Sequence, residues 1–589
     1  MKEKEFEALY QETIVQKEKL SHKNNIISLI RFLLMVICIV FLLVGYFQKI
    51  YVFYFLSLFS FVSFLLLVQY HDTLKQHLLY YQSLQQVYEE HLYRIQNKWN
   101  AFLCDGEEWL DDHDYKSYDL DIFSQHSLFQ MINVASTYQG KCLLAKILKD
   151  DDVSYEEVIH RQNAVEELSQ HEDFVLKMQT LGKMIPSQKE KSIQSFLFIK
   201  NENSLMSSFI FVVSILTILS LIGMIIHFGS PYNQVVFEVG VVFQLCFSLC
   251  YLKQHQSLFS PIVKLEKSLS QYKEMFILIQ KEKFHCQELK DIQKRIVSQT
   301  NAIKGIEKLS ILSQRVHYRQ NIFAYILLNA LIMFDFIIRN QYIQWLQEYQ
   351  SSMNDWFQSL SEIEAYMSLC ILKIDDYPVT MPHIHQEQVL SFKNLRHPLI
   401  PVDKAVGNDF QLNHQTCIIT GSNMSGKTTF MRTVGLNLVL AYAGGYVFAD
   451  EMHCSLMHIM TSMRVKDNVE EGISTFYGEL LRIKEMISYA QNKKPMLCLI
   501  DEIFKGTNSL DRIAGAHATI EKLSLPYIYL FLTTHDLELC HHSSIDIDLY
   551  HFDEYYENNQ IQFDYLIKKG ISHTTNGKFL LKQLGIIDD

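Results

Sequence analysis

The sequence has no CxxC pair, and its 11 cysteines are scattered along the 589 residues. The closest two, Cys246 and Cys250, sit inside an apolar run. Such spacing offers neither a disulfide framework nor a zinc site, and the thiols read as buried or lipid-facing groups in a reducing compartment. A basic surplus is missing too. The formal net charge is −12, whereas chains that live on nucleic acid usually carry excess Lys and Arg. A cleavable signal peptide is not expected either. Lys2, Lys4, Lys17 and Lys19 mix with Glu3, Glu5, Glu7 and Glu12, and the first apolar run passes into a second without a small-residue cleavage site.

Long uncharged runs are abundant. Residues 32–47, extendable back to Ile26, and residues 50–70 are separated only by Gln48 and Lys49. Spanning a bilayer takes about 20 apolar residues, so the pair reads as a transmembrane helical hairpin. Residues 205–228, a turn at Gly229, Ser230 and Pro231, and residues 234–252 repeat the plan. Glu238, near the start of the return helix, fits an interfacial position. A fifth run, 322–338, holds Asn329 and Asp335 between Arg319 and Arg339, and is expected to be a buried helix outside the membrane. Lys23, Lys75, Lys200 and Lys253 flank the proposed inner ends, which agrees with the positive-inside tendency. The expectation is a multi-pass protein of the cell membrane with both termini cytoplasmic.

The segments 71–200 and 261–375 show helical periodicity with sparse Gly and Pro, as in a lever rather than a compact enzyme core. Residues 261–320 carry 12 Lys or Arg against 6 Asp or Glu. This reads as a solvated helical face near anionic lipid, with a nucleic-acid contact as the alternative. From about 376, short β-rich runs at 417–420, 496–500 and 527–532 alternate with helical stretches, the pattern of a parallel sheet with crossover helices. The expected domains are a cytoplasmic lead (1–24), hairpin (25–70), helical part (71–204), hairpin (205–252), helical lever (253–375) and α/β P-loop NTPase domain (376–589).

Residues 421–428, Gly421, Ser422, Asn423, Met424, Ser425, Gly426, Lys427 and Thr428, fit GxxxxGK[ST] between a strand and a helix. The glycines let backbone N–H groups close around phosphates, and the helix N-terminus adds partial positive charge. Lys427 is expected on the β/γ-phosphates, and Thr428 on Mg²⁺. Asp501 and Glu502 end an apolar strand. Asp501 suits the magnesium shell through water, and Glu502 is placed to polarise the attacking water. His535 ends the next strand, where it is expected to contact a γ-phosphate or that water; His541 and His542 are expected at the surface. The cofactors implied are ATP and Mg²⁺.

Together these residues resemble the MutS ATPase family. GSNMSGKTT, residues 421–429 and so including Thr429, is similar to that family's GPNMGGKST, with Ser422 in place of Pro and Ser425 in place of Gly. DEIFKGTN at 501–508 resembles DEIGRGTS, Thr534-His535 the family's ATH, residues 472–479 its GxSTFxxE, and Arg396-His397-Pro398 its RHP. Residues 121–129, 137–141 and 161–168 resemble the MutS core. The resemblance implies an ATPase that works as a homodimer. Ser474 would approach the γ-phosphate bound to the partner subunit, the segment 506–508 would line the interface, and hydrolysis would release the closed dimer. The mismatch-reading domain, DNA clamp and nuclease-like domain are not expected, since hairpins stand where the first two belong. The leading expectation is therefore a membrane-anchored ATPase switch. A membrane-tethered DNA-binding or mismatch-repair-related protein and an ABC-type transport ATPase are the alternatives, the latter disfavoured by the missing LSGGQ. A scaffold without activity would not keep Lys427, Thr428, Asp501 and Glu502.

Overall fold

The computed structural model describes residues 2–111, 113–186, single positions between 212 and 222, 231–265, 268–297, 301–464, 475–504, 509–541, 545–557 and 560–572. Ser474, His542, the segment 506–508 and most of 205–228 lie outside the described residues.

Helices α1 (Lys2–Gln48) and α2 (Tyr51–Ile95) form a hairpin that reverses at Lys49, whose φ is +56°. Both are long and apolar enough to cross a membrane. The apolar runs are only the halves of the two helices next to the turn, and residues 24 and 70 mark no break in the fold. Neither Gly nor Pro interrupts the junctions, so the helices continue into charged ends that dock on the helical body. There Lys2 pairs with Glu172 at 2.6 Å and Lys183 with Glu90 at 2.6 Å. In the apolar halves, small polar side chains close the helices on each other: Ser57 donates to Cys38 O at 3.0 Å and Ser60 to Leu34 O at 3.0 Å. Outward-facing Phe32, Phe47, Phe55 and Leu66 are largely exposed.

The helical body contains α3 (Tyr115–Asp119), α4 (Leu128–Ile132), α5 (Tyr138–Lys149), α6 (Tyr155–Gln170), α7 (Glu172–Lys183), α8 (Pro231–Cys250), α9 (Leu252–Leu265), α10 (Leu269–Lys281), α11 (Gln287–Val297), α12 (Ala302–His317), α13 (Ile322–Ile332) and α14 (Phe334–Ile374). Local chemistry sets several of the starts. Asp114, Ser127 and Thr137 cap α3, α4 and α5 through their side-chain oxygens, and Ser154 with Glu157 makes a capping box on α6. Each such cap stabilises its helix by about 1 kcal/mol. α14 is the spine. Its buried Glu364 accepts from the backbone N–H of Ser136 (3.0 Å) and Thr137 (3.2 Å), and burial pushes its carboxyl above the usual range.

Two sequence expectations are modified here. The run 322–338 is not one buried helix: it breaks at Met333 (φ +49°) into α13 and α14, bent by 84°. Asn329 and Asp335 are buried, but Ile322 and Phe323 are 66% and 81% exposed. The polar residues of the run hydrogen-bond to each other across the break, which holds the bend, since Asp335 N–H donates to Asn329 Oδ1 at 3.0 Å. Part of the basic stretch 261–320 is met by carboxylates. Lys273 pairs with Glu307, Lys308 with Glu348, Arg295 with Glu362 and Arg319 with Asp335.

The C-terminal domain comprises β1 (His383–His385), β2 (Leu390–Leu395), β3 (Asn408–Gln411), β4 (Thr416–Thr420), α15 (Lys427–Tyr442), β5 (Glu451–Ser455), β6 (His458–Ser462), α16 (Thr475–Ala490), β7 (Met496–Asp501), α17 (Ser509–Leu523), β8 (Ile528–Thr534), β9 (Ile547–Glu557) and β10 (Gln560–Lys569). Among the described residues these make a small sheet, β1-β5-β2-β3, and a larger one, β10-β9-β4-β8-β7-β6. The larger is parallel from β9 to β6, with Thr416 opposite Leu530 and Met496 opposite Ile528. Every residue of β4, β7 and β8 is buried, as helices on both faces of a parallel sheet require. The antiparallel β9–β10 edge and the small sheet were not anticipated from sequence.

Asp119, at the end of α3, ties the two bodies together. Its buried carboxylate accepts from the N–H groups of Met463 and Arg464, each at 3.0 Å, and from Arg482 on α16 at 2.9 Å. Removing one partner of a buried ion pair costs about 3–5 kcal/mol. Asp119→Ala is expected to lower the unfolding midpoint of the C-terminal domain by a corresponding amount, measured by thermal or urea unfolding.

Candidate nucleotide-binding site

The loop 421–426 leaves the carboxyl end of β4 and enters α15. Gly421 and Gly426 have φ of +146° and +111°. A Cβ on Gly421 would lie 3.0 Å from the Phe552 carbonyl, so the residue must be glycine for the loop to pass the neighbouring β9. Lys427, 4% exposed, folds back and donates to the carbonyls of Gly421 (2.8 Å) and Ser422 (2.9 Å). Ser422 donates to Glu554 on β9, and the buried Ser425 hydroxyl has no protein partner and lines the same space. Asn423, Met424 and Thr429 are exposed on the loop's outer side and at the helix start.

The adjacent parallel strands bring up the acidic side. Thr428 Oγ1 donates to Asp501 Oδ2 at 2.8 Å, and Thr533 Oγ1 donates to Asp501 Oδ1 at 2.5 Å. A hydroxyl and a carboxylate converging on one spot form the all-oxygen donor set that suits Mg²⁺. Glu502 takes φ +52° and is held there by its N–H, which bonds the Thr533 carbonyl (3.2 Å) and hydroxyl (3.0 Å). Its Oε1 lies 3.0 Å from His535 Nε2, which also lies 2.9 Å from Asn423 Oδ1. Two acceptors around one nitrogen favour the tautomer with a proton on Nε2. The 3.5 Å approach of Lys427 Nζ to that nitrogen is then not a hydrogen bond. Arg512 on α17 clamps Asp536 with two bonds of 2.8 and 2.9 Å, fixing the turn that carries His535.

Beside the loop lies a cavity of about 420 Å³, lined by the loop residues and by Leu395, His397, Ile400, Val406, Phe552 and Tyr565, among others. Tyr565 has φ +55° at the bulge where the β9–β10 register shifts. Such bulges re-aim side chains. Asn408 of β3 fixes that bulge, donating to the Tyr565 carbonyl at 3.0 Å and accepting from Ile567 N–H at 2.7 Å.

Lys427, Thr428, Asp501, Glu502 and His535 are thus brought together, while Ser474 lies outside the described residues. Thr533, Glu554, Phe552 and Tyr565 escape the sequence reading. Only Thr533 had a local signal, as part of the Thr-Thr-His strand end. Glu479 enters the sequence reading only as the end of a motif, yet it accepts from Phe504 N–H at 2.5 Å, just past Glu502.

The family model for MutS domain V matches residues 417–585, the stretch that runs from β4 through this loop and carboxylate pair. This stretch is similar to MutS domain V. Over 30% of its length the chain is 34% identical to DNA mismatch repair protein MutS of Carboxydothermus hydrogenoformans, and over 53% it is 28% identical to that of Thermosipho melanesiensis. DNA mismatch repair protein Msh3 of Homo sapiens is 33% identical over 31%. The matches span only 21%, 35% and 16% of those three relatives' lengths.

His397 of the Arg-His-Pro motif forms part of the cavity wall, and burial lowers its pKa to about 4. The unfolded chain, with a histidine pKa near 6.5, therefore binds more protons than the folded domain between those values, and stability falls as pH drops from about 6.5 to 4. The loss amounts to about 3 kcal/mol at most. A His397→Gln variant is expected to flatten that dependence, read from the unfolding midpoint across this pH range.

Proposed function

We propose that this chain is a membrane-anchored, MutS-like ATPase whose ATP and ADP states differ in conformation. The observation that carries the reading is the convergence of Lys427, Thr428, Asp501, Glu502 and His535 around one phosphate-sized loop. Lys427 exchanges its carbonyl partners for β/γ-phosphate oxygens. The free Ser425 hydroxyl and the loop N–H groups add donors. Thr428 and Asp501 would hold Mg²⁺, which when bound neutralises phosphate charge. Glu502, oriented by His535, accepts the proton of the attacking water. The apolar wall of Phe552, Tyr565 and Val406 is of a size for the base.

The membrane part of the proposal rests on α1 and α2, whose side chains near the turn face outward as Phe, Leu, Ile and Val. Dimerisation through Ser474 and residues 506–508 rests on the family resemblance. The switch draws its energy from the γ-phosphate contacts, since only differential binding of two states shifts their balance. DNA binding is a second reading, favoured by the relatives' names as DNA mismatch repair proteins. The carboxylate partners of residues 261–320 weaken its electrostatic basis.

The test is magnesium-dependent ATP hydrolysis by the full chain in lipid nanodiscs, with Lys427→Ala as the comparison. Hydrolysis abolished by the substitution supports the reading. A full chain that hydrolyses nothing, or a variant that hydrolyses equally well, overturns it.

A further inference from the structure

Eleven residues of α13, from Ile322 to Ile332, carry no charge, yet much of the helix's apolar surface is exposed. Ile322, Phe323, Ile326 and Leu327 are 66%, 81%, 47% and 60% exposed. A patch of this kind on a protein surface marks a contact. α13 lies beside α8, whose Val235, Val239, Val242 and Leu249 are also more than half exposed. The two surfaces are continuous. A groove of about 830 Å³ runs between them, lined by Leu245, Leu249, Leu252, Val263, Ile322 and Ile326.

Behind this apolar face the Asp335 carboxylate is paired, while the ring nitrogens of His255 and the Tyr325 hydroxyl make no hydrogen bond. Asp335 is fully buried and meets Arg319 at 2.9 Å and His255 at 3.4 Å, while Asn329 accepts from Asp335 N–H at 3.0 Å and from Ser248 Oγ at 3.2 Å. A charge that remained unpaired would keep the segment in water; a neutralised cluster lets it sit at apolar depth. The left-handed residue Met333 then turns the chain by 84° into α14, and Tyr251 and Phe247 pack on Met333 and Phe336 at the corner. A helix of 11 residues rises about 16 Å, too short to cross a hydrocarbon core of about 30 Å. The geometry is that of an element that enters and turns back.

We propose that α13 is a re-entrant helix inserted into one leaflet, and that phospholipid acyl chains occupy the groove between it and α8–α9. This rests on the membrane reading above and extends it to a part of the chain outside the two hairpins. Since α14 begins at the corner and runs 41 residues to the base of the C-terminal domain, the bilayer contact and the nucleotide domain share one rigid helix.

The chain has four tryptophans, Trp99, Trp109, Trp345 and Trp356, all in the helical body away from the apolar surfaces. Emission from a fifth can therefore be read by difference. Full chains carrying Phe323→Trp or Phe59→Trp are reconstituted into phosphatidylcholine vesicles with and without brominated acyl chains. Phe59, 72% exposed in the apolar first half of α2, reports on the hairpin. The expected result is loss of the added Phe323→Trp emission by an amount comparable with Phe59→Trp. Quenching at position 59 with a red-shifted, unquenched signal at 323 places α13 in water and overturns the inference while leaving the anchor. A blue-shifted but unquenched signal at 323 means protein covers the helix, and equally overturns it. No quenching at either position removes the membrane reading itself.

Discussion

Glu502→Gln is expected to bind ATP as the parent chain does and to hydrolyse it at least about a hundred-fold more slowly, the effect of losing a positioned general base. The substitution is nearly isosteric. The amide oxygen still accepts from His535 Nε2, now 3.0 Å from the carboxylate, and the backbone stays pinned by Thr533. The loss is therefore of proton affinity and not of architecture. Single-turnover hydrolysis alongside equilibrium binding of a fluorescent ATP analogue separates the two. A variant that retains most of the parent rate would remove Glu502 from the chemistry and shift attention to another group near the loop.

Lys427→Ala is expected to do the opposite, weakening ATP binding itself by at least about thirty-fold, the lower end of the 2–5 kcal/mol lost when one partner of a buried charged pair is removed. The lysine has a second role before nucleotide arrives. Its ammonium bonds the carbonyls of Gly421 and Ser422, which otherwise point negative ends into the space meant for phosphate. Removing it deletes an attraction and exposes a repulsion. Asp501 should be less affected, because Thr428 and Thr533 hold it independently of the lysine. Titration of binding, with unfolding midpoints to show that the loop variant remains folded, decides between lost affinity and lost structure. Unchanged binding by a folded Lys427→Ala chain would mean that the loop is not the phosphate cradle.

The two variants bracket the proposed cycle. One stops before binding and the other after it, so any conformational difference between them reports the nucleotide's own contribution. If the long α14 carries the domain's motion toward the bilayer, the trapped Glu502→Gln chain should differ from Lys427→Ala in the environment of α13 as well as at the loop.

Much of the candidate site was legible because its key chemistry is local in the chain. A loop with glycines at both ends, a lysine and a threonine at a helix start, and two carboxylates at the end of an apolar strand are each contiguous. The loop's geometry follows from residues that tolerate φ of +146° and +111°. The α/β alternation likewise showed in the fully buried runs of β4, β7 and β8. The helical reading of 322–338 went astray at one residue. Met333 has no intrinsic preference for a left-handed conformation, and the Asn329–Asp335 contact across the break and the packing of Phe247 and Tyr251 hold it there.

The sequence by itself determined where a phosphate-binding pattern lies, which segments are apolar enough for a bilayer, and the resemblance to MutS, because each depends on neighbours within a few residues. Tertiary structure alone decided which side chains complete the wall and fix the carboxylate. Tyr565 reaches the loop through a bulge pinned by Asn408, and Thr533 meets Asp501 across two strands. It also decided that part of the basic stretch is paired with carboxylates and that α13 keeps an apolar face exposed. A tyrosine, a threonine or a lysine reads the same whether it ends in a pocket, on a carboxylate or in water. Its surroundings are set by residues far along the chain, and that information appears only when the backbone brings them together.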